Sequence, residues 1–321
     1  MSEKPRVFIT RPIPDQILSK LRETCDVEMW HTSEIPAPTT EKIHELDGLL
    51  TYSHEPITDE MMASSPNLKV ISNMGVGYDH IDTVAAKSRG IEVGNTPGVL
   101  SDTTADMTFA LLLSIARNVV PSNKFVRSKK WTFYDPNIFW GQEIHHATIG
   151  IVGMGRIGYA VAKRALGFGM KVLYFKRNRR TDWEEELGIE YATLDRLLES
   201  SDFVTLHLPM LPETHHLIGK QELKMMKPNA ILVNIARGGI VDHDELYRAL
   251  IIGEIAGAAL DVTEPEPINT NHPLLSLDNI LICPHLGSAT VQTRMKMAQM
   301  AHDNLISGLN GDPLPHSVFE S

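Results

Sequence analysis

The sequence predicts an α/β protein built as two doubly wound parallel-sheet domains. Three observations carry that expectation. Short apolar runs alternate with helical patterns along all 321 residues. The runs are mostly continuous rather than strictly alternating, as in parallel strands covered on both faces. They also fall into two series. The first comprises residues 6–10, 26–30, 48–52, 69–73 and 91–95. The second comprises 148–152, 171–175, 203–208, 230–235, 257–262 and 279–283. Helical patterns at 14–23, 160–168 and 244–252 lie between them, giving the βαβ rhythm of doubly wound sheets. Between the series, 101–117 reads as one long helix with Ser101 or Asp102 as its cap. After the last strand, 288–309 reads as an amphipathic helix with Val291, Met295, Met300 and Leu305 on its apolar face, the methionines being core packing.

Composition narrows the function. The chain is 42% hydrophobic and 22% charged, the balance of a soluble globular protein, with a formal net charge of −10. That charge argues against a nucleic-acid footprint. The two cysteines, Cys25 and Cys283, do not make a disulfide framework and fit a reducing, cytoplasmic setting. Cys283 ends an apolar run and reads as an inert core thiol. No signal peptide is expected. The longest apolar stretch, 107–120, is interrupted by Arg117 and Asn118 and is too short and polar to span a membrane.

The chemistry starts at Gly153-Met154-Gly155-Arg156-Ile157-Gly158, a G-x-G-x-x-G segment that ends one strand and opens a helix. In this context Gly153 permits the tight turn and Gly155 lets a pyrophosphate approach the backbone. Gly158 lets helix and strand pack closely. The amides of Arg156, Ile157 and Gly158 face the anion at the positive end of the helix dipole. The segment therefore predicts a dinucleotide site. After the next strand, an NAD site normally places a carboxylate for the ribose 2′-hydroxyl. Here the residues are Lys176-Arg177-Asn178-Arg179-Arg180, and the first carboxylate is Asp182. Cations there suit a 2′-phosphate, so the expected cofactor is NADP(H), with NAD(H) possible. Two charge-assisted bonds of about 1.5–3 kcal/mol each would discriminate by about a hundredfold or more.

Three later strand ends carry Arg237, Glu266 and His285. Ligands of parallel α/β sheets sit at carboxyl ends of strands, so the three can converge. The set suits hydride transfer to a 2-keto acid. Arg237 can hold the substrate carboxylate with its planar donor fork. His285 can protonate the keto oxygen. Glu266, if adjacent, would orient the ring and favour the imidazolium, raising its pKa. The paired histidines His145-His146 and His215-His216 show no cysteine or carboxylate at productive spacing. Consecutive strand residues face opposite ways, so both pairs read as surface residues and no metal is expected.

With these residues in place, the chain resembles the D-isomer-specific 2-hydroxyacid dehydrogenase family, and within it the glyoxylate/hydroxypyruvate reductases, over essentially its whole length. Besides the glycine loop, the resemblance rests on 73–82, 95–99, Thr104-Ala105-Asp106, 234–242, 261–267 and 284–290. It implies a Rossmann coenzyme domain, 100–286, inserted into a discontinuous flavodoxin-like substrate domain of 1–99 and 287–321. It implies Arg237, Glu266 and His285 as the catalytic trio, with Glu266 rather than Glu264 in the catalytic position. It extends the cofactor set to Thr104, Met154, Asn178, His207, Pro209, Thr214, Ile235, Ala236, Asp261 and Gly287. It assigns substrate contacts to the amides of Val76 and Gly77, to Tyr52 and to Ser288, which can otherwise serve as a helix cap. It also implies a homodimer, with the aromatic segment 131–140 as an arm on the partner. Rival readings are an NAD-linked dehydrogenase of the D-3-phosphoglycerate or 2-ketogluconate type and a nucleotide-sensing, corepressor-like binding protein.

Overall fold

The computed structural model describes residues 4–32, 36–52 and 55–319. The chain divides into two compact units. One is Met1–Leu100 with Ala289–Ser321, and the other is Ser101–Ser288. The boundaries fall one and two residues beyond those read from the sequence.

The first unit holds β1 (Arg6–Ile9), β2 (Asp26–Met29), β3 (Gly48–Thr51), β4 (Val70–Asn73) and β5 (Glu92–Gly94). They form a parallel sheet in the order β2-β1-β3-β4-β5. The order reverses between β1 and β3, and Tyr52 follows β3 at that switch point, where its amide donates to Thr10 Oγ1 at 3.2 Å. Crevices at such switch points are where doubly wound sheets take ligands. β3 and β4 are buried at every position, which explains their continuous apolar runs.

The second unit continues with β6 (Thr148–Val152), β7 (Lys171–Phe175), β8 (Glu190–Tyr191), β9 (Phe203–Leu206), β10 (Ile231–Asn234), β11 (Gly257–Leu260) and β12 (Ile280–Ile282). All pairs are parallel, in the order β12-β11-β10-β9-β6-β7-β8. Read from the β8 edge, this is the doubly wound dinucleotide-binding arrangement, its switch point between β6 and β9. Apolar clusters pack on its two faces, one around Phe109, Leu112 and Val161, the other around Leu197, Leu246 and Leu274.

Several elements differ from the sequence reading. β8 was not anticipated. It has two residues on the sheet edge, too few to show a pattern. A second helix, Val119–Arg127, follows the long helix Ser101–Ala116 after Asn118 turns the chain at φ 52°. β12 is a half-buried edge strand, so Cys283 is half-buried rather than a core thiol; burial still pushes its pKa up.

The final helix is Val291–Asn310 and is capped by Thr290, whose hydroxyl accepts from the Thr293 amide, and not by Ser288. Its buried face also departs from expectation. Val291 is 80% exposed, and the helix buries Thr293, Met297, Ala298, Ala301, Asn304, Leu305 and Gly308. Small residues let the backbone approach the sheet closely, so the face is not marked by large apolar side chains. Asn304 is fully buried there. Its Nδ2 donates to the Asn95 carbonyl at 2.9 Å and its Oδ1 accepts from the His316 amide at 3.0 Å.

Asn304→Leu keeps the branched shape of the side chain and leaves one buried carbonyl and one half-buried amide unpaired. The expected loss is about 2–6 kcal/mol of stability, read by urea unfolding. A loss below about 1 kcal/mol would mean that water replaces both bonds.

Candidate active site

The glycine loop joins β6 to the helix Arg156–Gly167. Gly153 has φ 102°, a left-handed conformation that favours glycine, and a β-carbon there would stand 2.6 Å from the His207 carbonyl oxygen. A β-carbon on Gly158 would stand 2.3 Å from the Gly153 carbonyl, so this glycine seats the helix on the strand. Over Gly155 the space is open to 4 Å, a cradle above the helix N-terminus of the right character for a pyrophosphate. The residues present thus fit a dinucleotide.

The loop after β7 is shaped by Tyr174, whose hydroxyl accepts from the Arg180 amide at 2.8 Å and donates to Glu184 at 2.6 Å. Burial is the first cause pushing that hydroxyl to about 12. Arg179 is held by Glu184, and Arg180 by Asp182 at 2.8 and 2.5 Å. Asp182, the first carboxylate after the strand, is thereby committed to Arg180, whose hydrogen bonds pull it to about 2. Lys176 lies 5.8 Å from the centre of the Trp183 ring, and Arg177 reaches Glu213 at 3.0 Å in an exposed pair. Exposed pairs of this kind contribute little and are readily exchanged. Asn178 is exposed beside them.

Arg237, Glu266 and His285 follow β10, β11 and β12, and the three loops are tied together. Asn234, fully buried at the end of β10, donates to the Arg237 carbonyl at 2.7 Å and accepts from the Ala236 amide at 3.1 Å. Gly238 abuts the next loop so closely that a β-carbon there would stand 2.0 Å from the Thr263 carbonyl. Asp261, 1% exposed, receives the amides of Leu286 and Gly287 at 2.7 Å each, and its carbonyl receives the His285 amide at 2.8 Å. Glu266 then bridges the set. One of its oxygens meets His285 Nδ1 at 2.6 Å and the other accepts from the Thr263 amide at 3.2 Å. His285 itself is held at φ 56°, a conformation non-glycine residues seldom adopt and one that clusters at functional sites.

Other assigned residues gather nearby. A β-carbon on Gly287 would lie 3.2 Å from Asp261 Oδ2, 3.5 Å from Thr104 and 3.6 Å from Ile235. Met154 is buried. Thr214 donates to the Pro209 carbonyl at 2.8 Å, shaping the segment beside His207. Ser288 is half-buried.

In the first unit, the loop after β4 turns its carbonyls inward. Asn73 Nδ2 donates to Gly77 at 2.8 Å and Asn95 Nδ2 donates to Val76 at 2.8 Å. Among the described residues no protein acceptor takes the amides of Val76 and Gly77, which leaves adjacent donors of the kind that bind anions. Sequence reasoning missed Arg294. Its guanidinium stands 4.8 Å from the centre of the Tyr52 ring, no carboxylate among the described residues pairs with it, and burial lowers its pKa. An arginine on a polar helix position gives no signal in sequence; only the ring beneath it does.

The histidine pairs correct the reasoning applied to them. His215 and His216 lie in a turn, not a strand; their rings stack 3.9 Å apart, and both meet Glu264. A carboxylate 48 residues away is invisible to a spacing rule. His145 and His146 meet edge-on at 5.2 Å on the surface.

The environment of His207 has a measurable consequence. The residue as a whole is half-buried, yet both ring nitrogens are sealed and unpartnered among the described residues, and burial drives its pKa to about 3. Below its ordinary value near 6.5 the unfolded imidazole takes a proton that the folded one refuses until about 3. Stability therefore falls as pH is lowered through that window, by up to about 1.4 kcal/mol per pH unit. His207→Gln should remove one proton of uptake on unfolding between pH 6.5 and 4.5, a shallower acid slope in urea titrations. An unchanged slope would show the ring is not sealed.

Comparison with known proteins agrees with this geometry. Residues 109–287 match the family model "D-isomer specific 2-hydroxyacid dehydrogenase, NAD binding domain". The chain is 48% identical to a glyoxylate reductase of Korarchaeum cryptofilum, covering 98% of this chain and 96% of that protein. A solved structure from Thermus thermophilus superposes with a TM-score of 0.91 at 43% identity, covering 98% of this chain and 99% of the other. An NADPH-dependent glyoxylate/hydroxypyruvate reductase of Sinorhizobium meliloti, solved with NADP and malonate, has a TM-score of 0.88 at 31% identity, with 98% and 97% covered. With its dinucleotide loop, its doubly wound sheet and these relatives, the chain belongs to the D-isomer-specific 2-hydroxyacid dehydrogenase family, oxidoreductases with a Rossmann NAD-binding domain.

Proposed function

We propose that the chain is an NADP(H)-preferring reductase of short 2-keto acids, glyoxylate and hydroxypyruvate, to 2-hydroxy acids. The observation that carries the reading is the 2.6 Å contact of Glu266 with His285 Nδ1, on loops packed against the one bearing Arg237. When bound, the nicotinamide supplies a hydride to the carbonyl carbon. Arg237 holds the substrate carboxylate and polarises the keto oxygen. His285 delivers a proton from Nε2 to that oxygen as negative charge develops. Glu266 accepts a hydrogen bond from Nδ1, keeps the ring aimed, and its carboxylate charge balances that of the proton-donating ring. The amides of Val76 and Gly77, Tyr52 and Ser288 complete substrate binding in this reading. In the reverse direction the same ring takes the hydroxyl proton.

Cofactor preference rests on charge. In this reading Lys176 and Arg177, which directly follow β7, meet a 2′-phosphate, and Asp182 is engaged by Arg180. The relatives named glyoxylate reductase and the NADP-bound Sinorhizobium enzyme support both halves of the reading. The chain also offers a dimerisation arm. In 131–140, Trp131, Phe133, Tyr134 and Trp140 are all more than half exposed, the aromatic enrichment expected of an interface core. A second copy of the chain covers it in this reading.

The test is a steady-state panel of 2-keto acids with NADPH and NADH. His285→Ala should lower kcat by about 10²–10⁴-fold and leave cofactor binding intact; an unchanged kcat removes the histidine from the mechanism. The double variant Lys176→Asp with Arg177→Ala should lose about a hundredfold in kcat/KM with NADPH and little with NADH. Equal use of both cofactors by the unaltered chain would overturn the preference.

A further inference from the structure

The geometry points to a transition-metal site, zinc foremost, formed by His215, His216 and Glu264 on the second unit. The donor atoms are His215 Nε2, His216 Nε2 and Glu264 Oε2, and one donor atom from each residue lies within 4.8 Å of the others. His215 Nε2 stands 3.5 Å from the carboxylate oxygen and His216 Nε2 stands 3.3 Å from it. Charge-assisted N–H···O bonds close to about 2.7–2.9 Å, so these are long for hydrogen bonds. They are the right length for something else. Zinc bonds of about 2.0–2.2 Å to nitrogen and oxygen, arranged tetrahedrally, place neighbouring ligands about 3.3–3.5 Å apart.

Two further features belong to metal sites. Consecutive residues ordinarily point apart, but His216 sits at φ 52°, a strained conformation for a non-glycine residue. That turn aims both Nε2 atoms at one oxygen. Behind His216, Asp242 Oδ2 lies 3.6 Å from Nδ1. A carboxylate behind a histidine's other nitrogen is the usual second partner of a metal-bound imidazole, fixing its tautomer and raising its basicity. Two imidazoles and one carboxylate select zinc and its first-row neighbours over calcium or magnesium.

The site is exposed and separate from the catalytic trio, but it is joined to its scaffold. The His216 amide donates to the Gly239 carbonyl at 2.7 Å and the Ile218 amide to the Ile240 carbonyl at 3.0 Å, both in the segment after Arg237. Glu264 shares its loop with Glu266. A bound ion would clamp the Arg237 and Glu266 loops from outside.

The test uses the full chain without a polyhistidine tag, and without cofactor or substrate, so it does not depend on the proposed reaction. Calorimetric titration with Zn²⁺ should show one site per chain, and Co²⁺ should give the intense visible bands of a tetrahedral ion. His215→Ala, His216→Ala and Glu264→Gln should each abolish the site. Asp242→Asn, which retains a helix-capping side chain, should weaken Zn²⁺ binding about 10–100-fold. Circular dichroism identical to the unaltered chain guards against misfolding. Stoichiometry unchanged in the His215→Ala/His216→Ala variant, or a weak octahedral Co²⁺ spectrum, would overturn the site.

Discussion

The candidate site depends on one buried carboxylate. Asp261 ends β11 with almost no exposure, yet it takes two backbone amides from the segment after β12 and returns its carbonyl to a third. Burial raises its pKa, and the Leu286 and Gly287 amides oppose that shift. A charge buried in this way persists only where donors replace the lost water. Those donors are the amides around His285. The bonds that keep Asp261 satisfied are therefore the bonds that hold His285 at positive φ. Glu266 reaches the ring at 2.6 Å because the two loops are already fixed in register. Gly238 adds the third loop by letting backbone touch backbone at Thr263. The trio is positioned by main-chain bonding, with its own side chains contributing the last contact.

That dependence explains what could be read from the sequence. Strand existence and the glycine loop were legible because each has a local signature: a run of buried apolar residues, or three glycines at fixed spacing between strand and helix. The proposed trio could be singled out because strand ends are identifiable. The face of the final helix was not, because it is built from Ala298, Ala301, Gly308 and a bonded Asn304 instead of large apolar side chains. Strand β8 has too few residues to show a period. Arg294 and the His215–His216–Glu264 cluster were invisible for a common reason. Their meaning lies in a partner distant along the chain, a tyrosine ring in one case and a carboxylate in the other.

The same distinction between local and distant partners governs the loop after β7. Five consecutive residues there include four cations, of which the sequence singles out Lys176 and Arg177 by position alone. The structure separates them. Arg179 and Arg180 are consumed by carboxylates of the helix that follows, and those pairs give the loop its shape. Lys176 has an aromatic ring beside it and Arg177 has one exposed glutamate. A phosphate monoester brings nearly two negative charges and three acceptor oxygens, whereas the exposed Arg177–Glu213 pair offers a single carboxylate charge screened by solvent. In the proposed reading, exchange of Glu213 for a phosphate favours the phosphate. A ribose hydroxyl offers Arg177 no charge with which to displace Glu213, and Asp182, engaged with Arg180, is not free to receive it. In the proposed reading the loop's internal ion pairs do two jobs: they engage Asp182, the acid that could otherwise meet a 2′-hydroxyl, and they leave Lys176 beside only an aromatic ring and Arg177 with only an exposed carboxylate.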